Sequence, residues 1–255
     1  MIVKLETLDN ILEGFDPITL QQMDSVKLLD RVDTKFMFRA QQLPVLLERM
    51  KKDYFILEIS GKRYTNYETL YFDTEGFGLY VMHHNGKLNR YKFRARRYVE
   101  SNLCFFEVKF KNNKGRTIKE RIKRPEIIKN ISDKAEELVR TASTVDPGLL
   151  KPQLWVNYLR ITFVNKHSQE RLTVDTGLHF VDDAGKVLYD GLVIAEVKQG
   201  SGLDKSPFIA LMREFKIQQK SISKYCLGVI SLHPELKHNR FKPTLIYLNK
   251  LLKAS

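Results

Sequence analysis

The sequence predicts an α+β fold: about eight strands in mostly antiparallel succession, in one large sheet or a closed barrel with a polar, basic lumen, and helices packed on the outside. Three observations predict it. Seven segments alternate between charged and apolar residues, the period-two signature of strands with two unlike faces. Their charged faces pool many Lys and Arg with few carboxylates, whereas a plain surface mixes signs. Several helix candidates need an apolar surface to pack on, and outward-facing strand residues supply one.

The elements follow in order. PITLQQMDSVKLLD (17–30) has Pro17 at its start and near-helical apolar spacing, so a helix is expected. RVDTKFMF (31–38) alternates as a strand. Residues 42–52 carry Pro44 near a first helical turn. YTNYETLYFD (64–73) is β-rich, and 75–84 reads as a short helix ended by Asn85-Gly86. Strands are expected at 89–99, 103–111 and 115–123, with Asn112, Asn113 and Gly115 suiting the last hairpin turn. A helix at 126–141 precedes strands at 154–164, 170–178 and 192–199. Residues 179–190 read as an extra hairpin turning at Asp183-Ala184-Gly185, and helices at 206–217 and 239–253 finish the chain. No repeat or low-complexity linker interrupts it, so residues 1–255 are expected to form a single domain.

The formal net charge is +13, from 43 Lys and Arg against 30 Asp and Glu. Such an excess points to an anionic partner: nucleic acid, phosphates or a lipid surface. No aromatic-and-basic module of the RNA-recognition kind is present, and no nucleic acid partner is expected. Cys104 and Cys226 lie apart in apolar segments, which makes neither a disulfide scaffold nor a zinc site and suits a reduced cytoplasmic protein. The first residues do not have a signal peptide's pattern, and no run of about 18 apolar residues is available to span a membrane.

Parity sorts the charge. In 89–98, Arg90, Lys92, Arg94, Arg96 and Tyr98 share one face, and Tyr91, Phe93 and Ala95 the other. In the next two strands Glu107, Lys109 and Lys111, then Lys119, Arg121 and Lys123, oppose Phe106, Val108, Phe110, Ile118 and Ile122. Tyr158, Arg160 and Thr162 oppose Leu159, Ile161 and Phe163; Arg171, Thr173 and Asp175 oppose Leu172 and Val174. Glu196 and Lys198 oppose Val193, Ala195 and Val197, while Arg31, Asp33 and Lys35 oppose Val32, Thr34 and Phe36. A solvated sheet face would show the same alternation strand by strand. A lumen explains the shared sign. Cations packed in reduced dielectric need counter-charge; Glu107, Glu196, Asp33 and Asp175 supply some, with Asp33 and Asp175 read as salt-bridge partners, and a bound polyanion would supply the rest.

RVDTKF, YFDT, the G-K-x-x-R-x-K-x-R-x-R run at 86–96, EVK at 107–109, KGRTIK at 114–119, ERLTVDTGL, AEVK at 195–198 and SKYCLG at 223–228 resemble the VTC domain. That family is the polyphosphate polymerase branch of the CYTH-like triphosphate tunnel metalloenzymes. The motifs fall in the family's order over about residues 25–230, leaving the 239–253 helix beyond them. The resemblance implies an eight-stranded antiparallel β-barrel forming a tunnel, and transfer of the terminal phosphoryl group of ATP to a growing polyphosphate chain, with Mn²⁺ or Mg²⁺ as cofactor. It implies substrate contacts from Lys35, Arg94, Arg96, Lys109, Arg160, Arg171 and Lys224, with Lys119 at a basic lumen position. Arg90, Lys92 and Tyr158 join them as binding residues on the same strand faces. Glu196 matches the metal-binding glutamate, and Glu107 is a second metal candidate. The residue types suit the chemistry, because phosphoryl transfer needs positioning and charge neutralisation more than covalent help. Arg forks grip phosphate oxygens and Lys serves as a point charge.

Hydrolases of the wider superfamily begin with a Glu-x-Glu-x-Lys strand, whereas this chain has Arg31-Val-Asp33-Thr-Lys35. That loss of a carboxylate argues against a two-metal triphosphatase and agrees with the VTC branch. The alternatives are an inorganic or nucleotide triphosphatase and a non-catalytic polyphosphate sensor. A membrane partner, if the chain works in a membrane complex, is expected to be a separate polypeptide.

Overall fold

The computed structural model describes residues 5–25, 31–200 and 206–253. The chain runs α1 (Leu5–Glu13), β1 (Pro17–Ile18), α2 (Leu20–Ser25), β2 (Arg31–Arg39), α3 (Leu43–Met50), β3 (Tyr54–Leu57), β4 (Thr65–Asp73) and α4 (Gly78–His84). It continues β5 (Arg90–Tyr98), β6 (Leu103–Lys111), β7 (Thr117–Arg124), α5 (Asp133–Ala142), β8 (Lys151–Asn165), β9 (Glu170–Asp182), β10 (Gly185–Leu188), β11 (Leu192–Gly200), α6 (Pro207–Glu214), α7 (Lys224–Leu232) and α8 (Lys242–Lys253).

Eight strands form one path in the order β2-β11-β9-β8-β4-β5-β6-β7, each pair antiparallel, with β1, β3 and β10 attached to its side. The eight-stranded antiparallel expectation therefore holds, but the barrel is not closed by hydrogen bonds: among the described residues β2 and β7 do not pair. The free edge of β2 is met instead by the segment after α6. Lys220 N donates to Lys35 O at 2.9 Å, and Phe36 bridges Gln219. That segment occupies the ladder a closing strand would need.

The outward apolar face is as expected except at the start of β2 and on β7, where Val32 and Ile118 lie exposed because no helix covers them. Phe36, Phe38, Ile161, Phe163, Leu172, Val174, Val193, Ala195 and Val197 are buried under α1, α3 and α6. Phe72, Phe93, Ala95, Phe106 and Val108 are buried under α5 through Ala135, Leu138 and Val139. Each large side chain so buried contributes about 1.5–3 kcal/mol, which is why the strands turn this face to the helices.

The concave face has two halves. Toward one end it is polar. Toward the other it carries Met37, Leu154, Val156, Leu178, Phe180, Leu192 and Ile194, covered by α7 and α8. A bulge keeps this arrangement in phase. The β8–β9 register shifts between Asn157 and Leu159, opposite Gly177 at φ +64°. The extra residue moves Leu178 and Phe180 onto the face begun by Arg171, Thr173 and Asp175. The lumen is thus a funnel whose floor is α7. Gly228 seats that helix: a Cβ there would lie 2.6 Å from Phe180 Cδ1 and 2.7 Å from Leu154 Cδ2.

Several element boundaries differ from the sequence expectations. The helix expected over 17–30 is only α2, because Pro17 and Ile18 pair in parallel with Ile56 and Leu57; residues 26–30 lie outside the described residues. The helix expected from 126 begins at Asp133, since Ile127, Ile128 and Ile131 pack on the core ahead of it in non-helical form. The helix expected from 239 is a 3₁₀ turn, Asn239–Phe241, followed by α8. The 179–190 hairpin turns where expected, with Ala184 N donating to Asp182 Oδ1 at 2.8 Å. Helices α1 and α7 and strand β3 complete the fold.

Candidate phosphate-binding site

Strand pairing brings the cations together. On β5, Arg94 and Arg96 are 8% and 6% exposed. Arg94 Nε donates to Glu107 Oε2 at 2.6 Å, and its Nη1 donates to the Tyr71 hydroxyl at 3.2 Å. Arg96 Nε donates to Thr69 Oγ1 and Nη2 to the Tyr158 hydroxyl, both at 3.1 Å, and its guanidinium lies 5.0 Å from the Tyr67 ring centre. Each arginine leans on a tyrosine oxygen and is fixed before any ligand arrives.

On the opposite wall Arg160 holds Asp175 bidentately, Nε to Oδ1 at 2.6 Å and Nη2 to Oδ2 at 2.7 Å. Lys224, the first residue of α7, donates to the same Oδ2 and lies 4.7 Å from the Tyr158 ring centre. Asp175 is thus a salt-bridge partner, as the sequence suggested. Asp33 lies more exposed, on β2 opposite Lys198, whose ammonium it favours electrostatically.

Glu107 is fully buried and paired with both Arg94 and Lys119. Burial would raise its pKa, but Arg94, Arg96 and Lys119 outweigh that and hold it well below the usual carboxylate range. Glu196 faces Lys35 on β2 and Thr173 on β9 and pairs with Lys198; burial opposes its charge, yet Lys198 and Lys35 depress its pKa strongly. Asp175 is likewise depressed, Arg160 and Lys224 overcoming burial. Each of these three carboxylates therefore stays ionised among cations.

Cations still outnumber them. Lys109 sits in register between Lys92 on β5 and Lys119 on β7, and its ammonium has no hydrogen bond or ion pair among the described residues. Its pKa is pushed well down, first by Arg94, then by burial and by Arg96. Lys92 donates to Ser223 Oγ at 2.9 Å, and burial lowers its pKa too. Lys35 reaches Ile222 O at 3.5 Å.

Two expected site residues lie toward the ends of their strands. Arg90 is at the rim of β5, its Nη1 donating to Lys87 O at 3.1 Å. Arg171 lies near the mouth, opposite Lys198, with Nη2 donating to Met23 O at 3.1 Å. Conversely, Tyr67, Thr69, Tyr71, Lys198 and Tyr225 line the site and were not among the expected residues. The spacing Tyr67, Thr69, Tyr71 on β4 was the available signal: three hydroxyls at every second position of a strand.

For a metal, the donor set is sparse. Among the described residues no three His, Cys, Asp or Glu side chains converge on one point. Glu196 and Glu107 lie on β11 and β6, each engaged by lysine or arginine. Single carboxylates of this kind fit a hard cation that keeps waters and is carried on phosphate oxygens, the usual mode for Mg²⁺; they do not form an all-protein cage.

A barrel-like antiparallel sheet with outer helices, wrapped around buried, preset arginines and lysines, defines a CYTH-like triphosphate tunnel protein. The VTC domain matches residues 30–233, and the chain belongs to that family. No curated protein matches it. Among solved structures, a candidate adenylate cyclase from Bacillus halodurans aligns with TM-score 0.50 at 13% identity, over 76% of this chain and 94% of that chain. One from Vibrio parahaemolyticus aligns at TM-score 0.47 and 14% identity, covering 79% and 99%. A candidate adenylyl cyclase from Hippeastrum, described as having dominant triphosphatase activity, gives TM-score 0.46 and 12% identity, covering 77% and 95%. At such identity the Bacillus halodurans structure speaks for the fold alone.

Proposed function

We propose that the chain is a metal-dependent polyphosphate polymerase that transfers the terminal phosphoryl group of ATP to a growing polyphosphate chain. The observation that carries this is the excess positive charge of the funnel: Lys109 and Lys92 lie side by side with no ion pair among the described residues, while Arg94 and Lys119 share the single carboxylate of Glu107 and Arg96 is held by hydroxyls. A row of phosphates supplies the charge that this arrangement lacks. Membership of the VTC family supports the choice of reaction.

In this reading Arg94, Arg96 and Arg160 hold phosphate oxygens through their forks, and Lys35, Lys109, Lys119 and Lys224 add point charges. Tyr158 and Lys92 orient the chain deeper in the funnel; Arg90 and Arg171 guide it at the rims. Glu196, with Glu107 as the second candidate, would hold Mn²⁺ or Mg²⁺, which would supply neutralisation of the charge that develops on the phosphoryl group. We take residues 1–255 as one domain, supported by the packing of α1 and α8 against the same sheet. Among the described residues no helix is long and apolar enough to cross a membrane; a membrane partner, if the chain works in a membrane complex, is proposed as a separate polypeptide. A cytoplasmic site of action, with ATP at hand, is part of the proposal.

A second reading has one observation in its favour. The packing of α7 across one end of the lumen favours a short ligand that need not thread through it, which suits a triphosphatase. Incubation with ATP and Mn²⁺, with products resolved, separates the two. Polyphosphate with ADP, lost in Glu196→Gln, is expected; free phosphate without polymer would assign the triphosphatase instead. Binding without turnover would make it a sensor.

A further inference from the structure

Tyr71 is the lumen residue whose environment is most elaborately built and to which no role has been given. It is 7% exposed and lies opposite Arg94 in the β4–β5 register. Its hydroxyl oxygen accepts from Arg94 Nη1, and its own O–H proton has no acceptor among the described residues. Its ring stacks on Tyr225 at 4.8 Å between centres and 26° between planes. The Tyr225 hydroxyl in turn donates to Asp73 Oδ2. Asp73 is fully buried and also accepts from the backbone N–H of Thr74 at 2.7 Å, Leu79 at 2.8 Å and Tyr80 at 2.9 Å, capping α4.

The relay has a direction. The α4 cap fixes Asp73, Asp73 fixes the Tyr225 ring, and that ring fixes Tyr71 beneath the Arg94 guanidinium. Arg96 repeats the pattern with Tyr158, whose oxygen accepts from Nη2 at 3.1 Å and whose proton is likewise free among the described residues. An oxygen that accepts from an arginine is left with its hydrogen aimed elsewhere. In a funnel lined by Arg94, Arg96 and Lys92, what arrives is an acceptor. Those cations outweigh burial and lower the Tyr71 pKa, which strengthens the hydroxyl as a donor.

Resting on the phosphate site proposed above, we infer that the Tyr71 hydroxyl donates a hydrogen bond to the phosphate gripped by Arg94, and that Tyr225 and Asp73 act as positioning residues for it. Tyr71→Phe removes the donor and keeps the stack. Titration calorimetry with inorganic tripolyphosphate is expected to show binding at least about tenfold weaker than wild type, the scale of one hydrogen bond to a charged group. Tyr225→Phe, which releases Asp73 only, is expected to weaken binding by a smaller factor. Unchanged affinity in Tyr71→Phe would overturn the inference while leaving the phosphate site standing. Failure of the wild type to bind tripolyphosphate would overturn the site and the inference together. A readout independent of affinity is the near-ultraviolet difference spectrum at saturating tripolyphosphate: the wild type is expected to show a tyrosine perturbation that Tyr71→Phe lacks, and an equal perturbation in Tyr71→Phe would overturn the inference.

Discussion

Arg94 on β5 and Glu107 on β6 face each other across the ladder, with Nε 2.6 Å from Oε2, and Glu107 has no exposure to solvent. The pair fixes the guanidinium, and Lys119 engages the same carboxylate. Glu107 is held ionised against burial by Arg94, Arg96 and Lys119, with a folded pKa below its unfolded value. Stability from such a group is fully present above the unfolded carboxylate pKa and is lost as pH falls toward the folded one. Asp175 and Glu196 are depressed in the same way. Melting temperature is expected to fall steadily below about pH 4, the unfolded carboxylate range. In Glu107→Gln the protein should be less stable at pH 7 and show a shallower acid limb. A limb identical to wild type would remove Glu107 from the cause.

Lys109 is the converse case. Its pKa is lowered by Arg94 first and by burial second, so its charge strains the free protein. Lys109→Met is expected to stabilise the unliganded chain by about 1 kcal/mol, within the range for relieving a functional strain, and to weaken tripolyphosphate binding. Thermal melts with and without the ligand measure both. A variant that loses stability without ligand would contradict the charge-repulsion account.

Ligand binding is expected to reverse that strain. Tripolyphosphate at 100 times its Kd should stabilise the wild type by about 2.7 kcal/mol. The affinity should drop as salt rises, because charges at the mouth are screened. A Kd insensitive to salt would argue against an electrostatic site.

The floor of the funnel tests separately. Gly228 places α7 against Phe180 and Leu154, where a methyl group would meet both closer than 3 Å. Gly228→Ala is expected to cost about 1–3 kcal/mol as overpacking, read from chemical denaturation. Because the Lys224 contact with Asp175 depends on how α7 is seated, tripolyphosphate affinity should fall with it.

The fold lay open in the sequence wherever one strand's faces differed strongly. Phe93 and Ala95 against Lys92, Arg94 and Arg96, or Val193, Ala195 and Val197 against Glu196 and Lys198, fix which side meets helices, because burial sorts apolar from charged residues at period two. That alternation, repeated strand by strand, determined the antiparallel α+β architecture and the basic interior, and the ordered motifs determined the family. What no single strand encodes is the pairing of one wall with another. That Asp175 binds Arg160 and Lys224, that Tyr225 links Tyr71 to Asp73, and that the 217–223 segment takes the free edge of β2 depend on strand register and sheet curvature. The apolar half of the lumen was hidden for a related reason: the bulge at Gly177 shifts the parity of Leu178 and Phe180, and only packing against α7 reveals which face they join. Local sequence sets each residue's preference for water or core; the tertiary structure decides which preferences are satisfied together in one space.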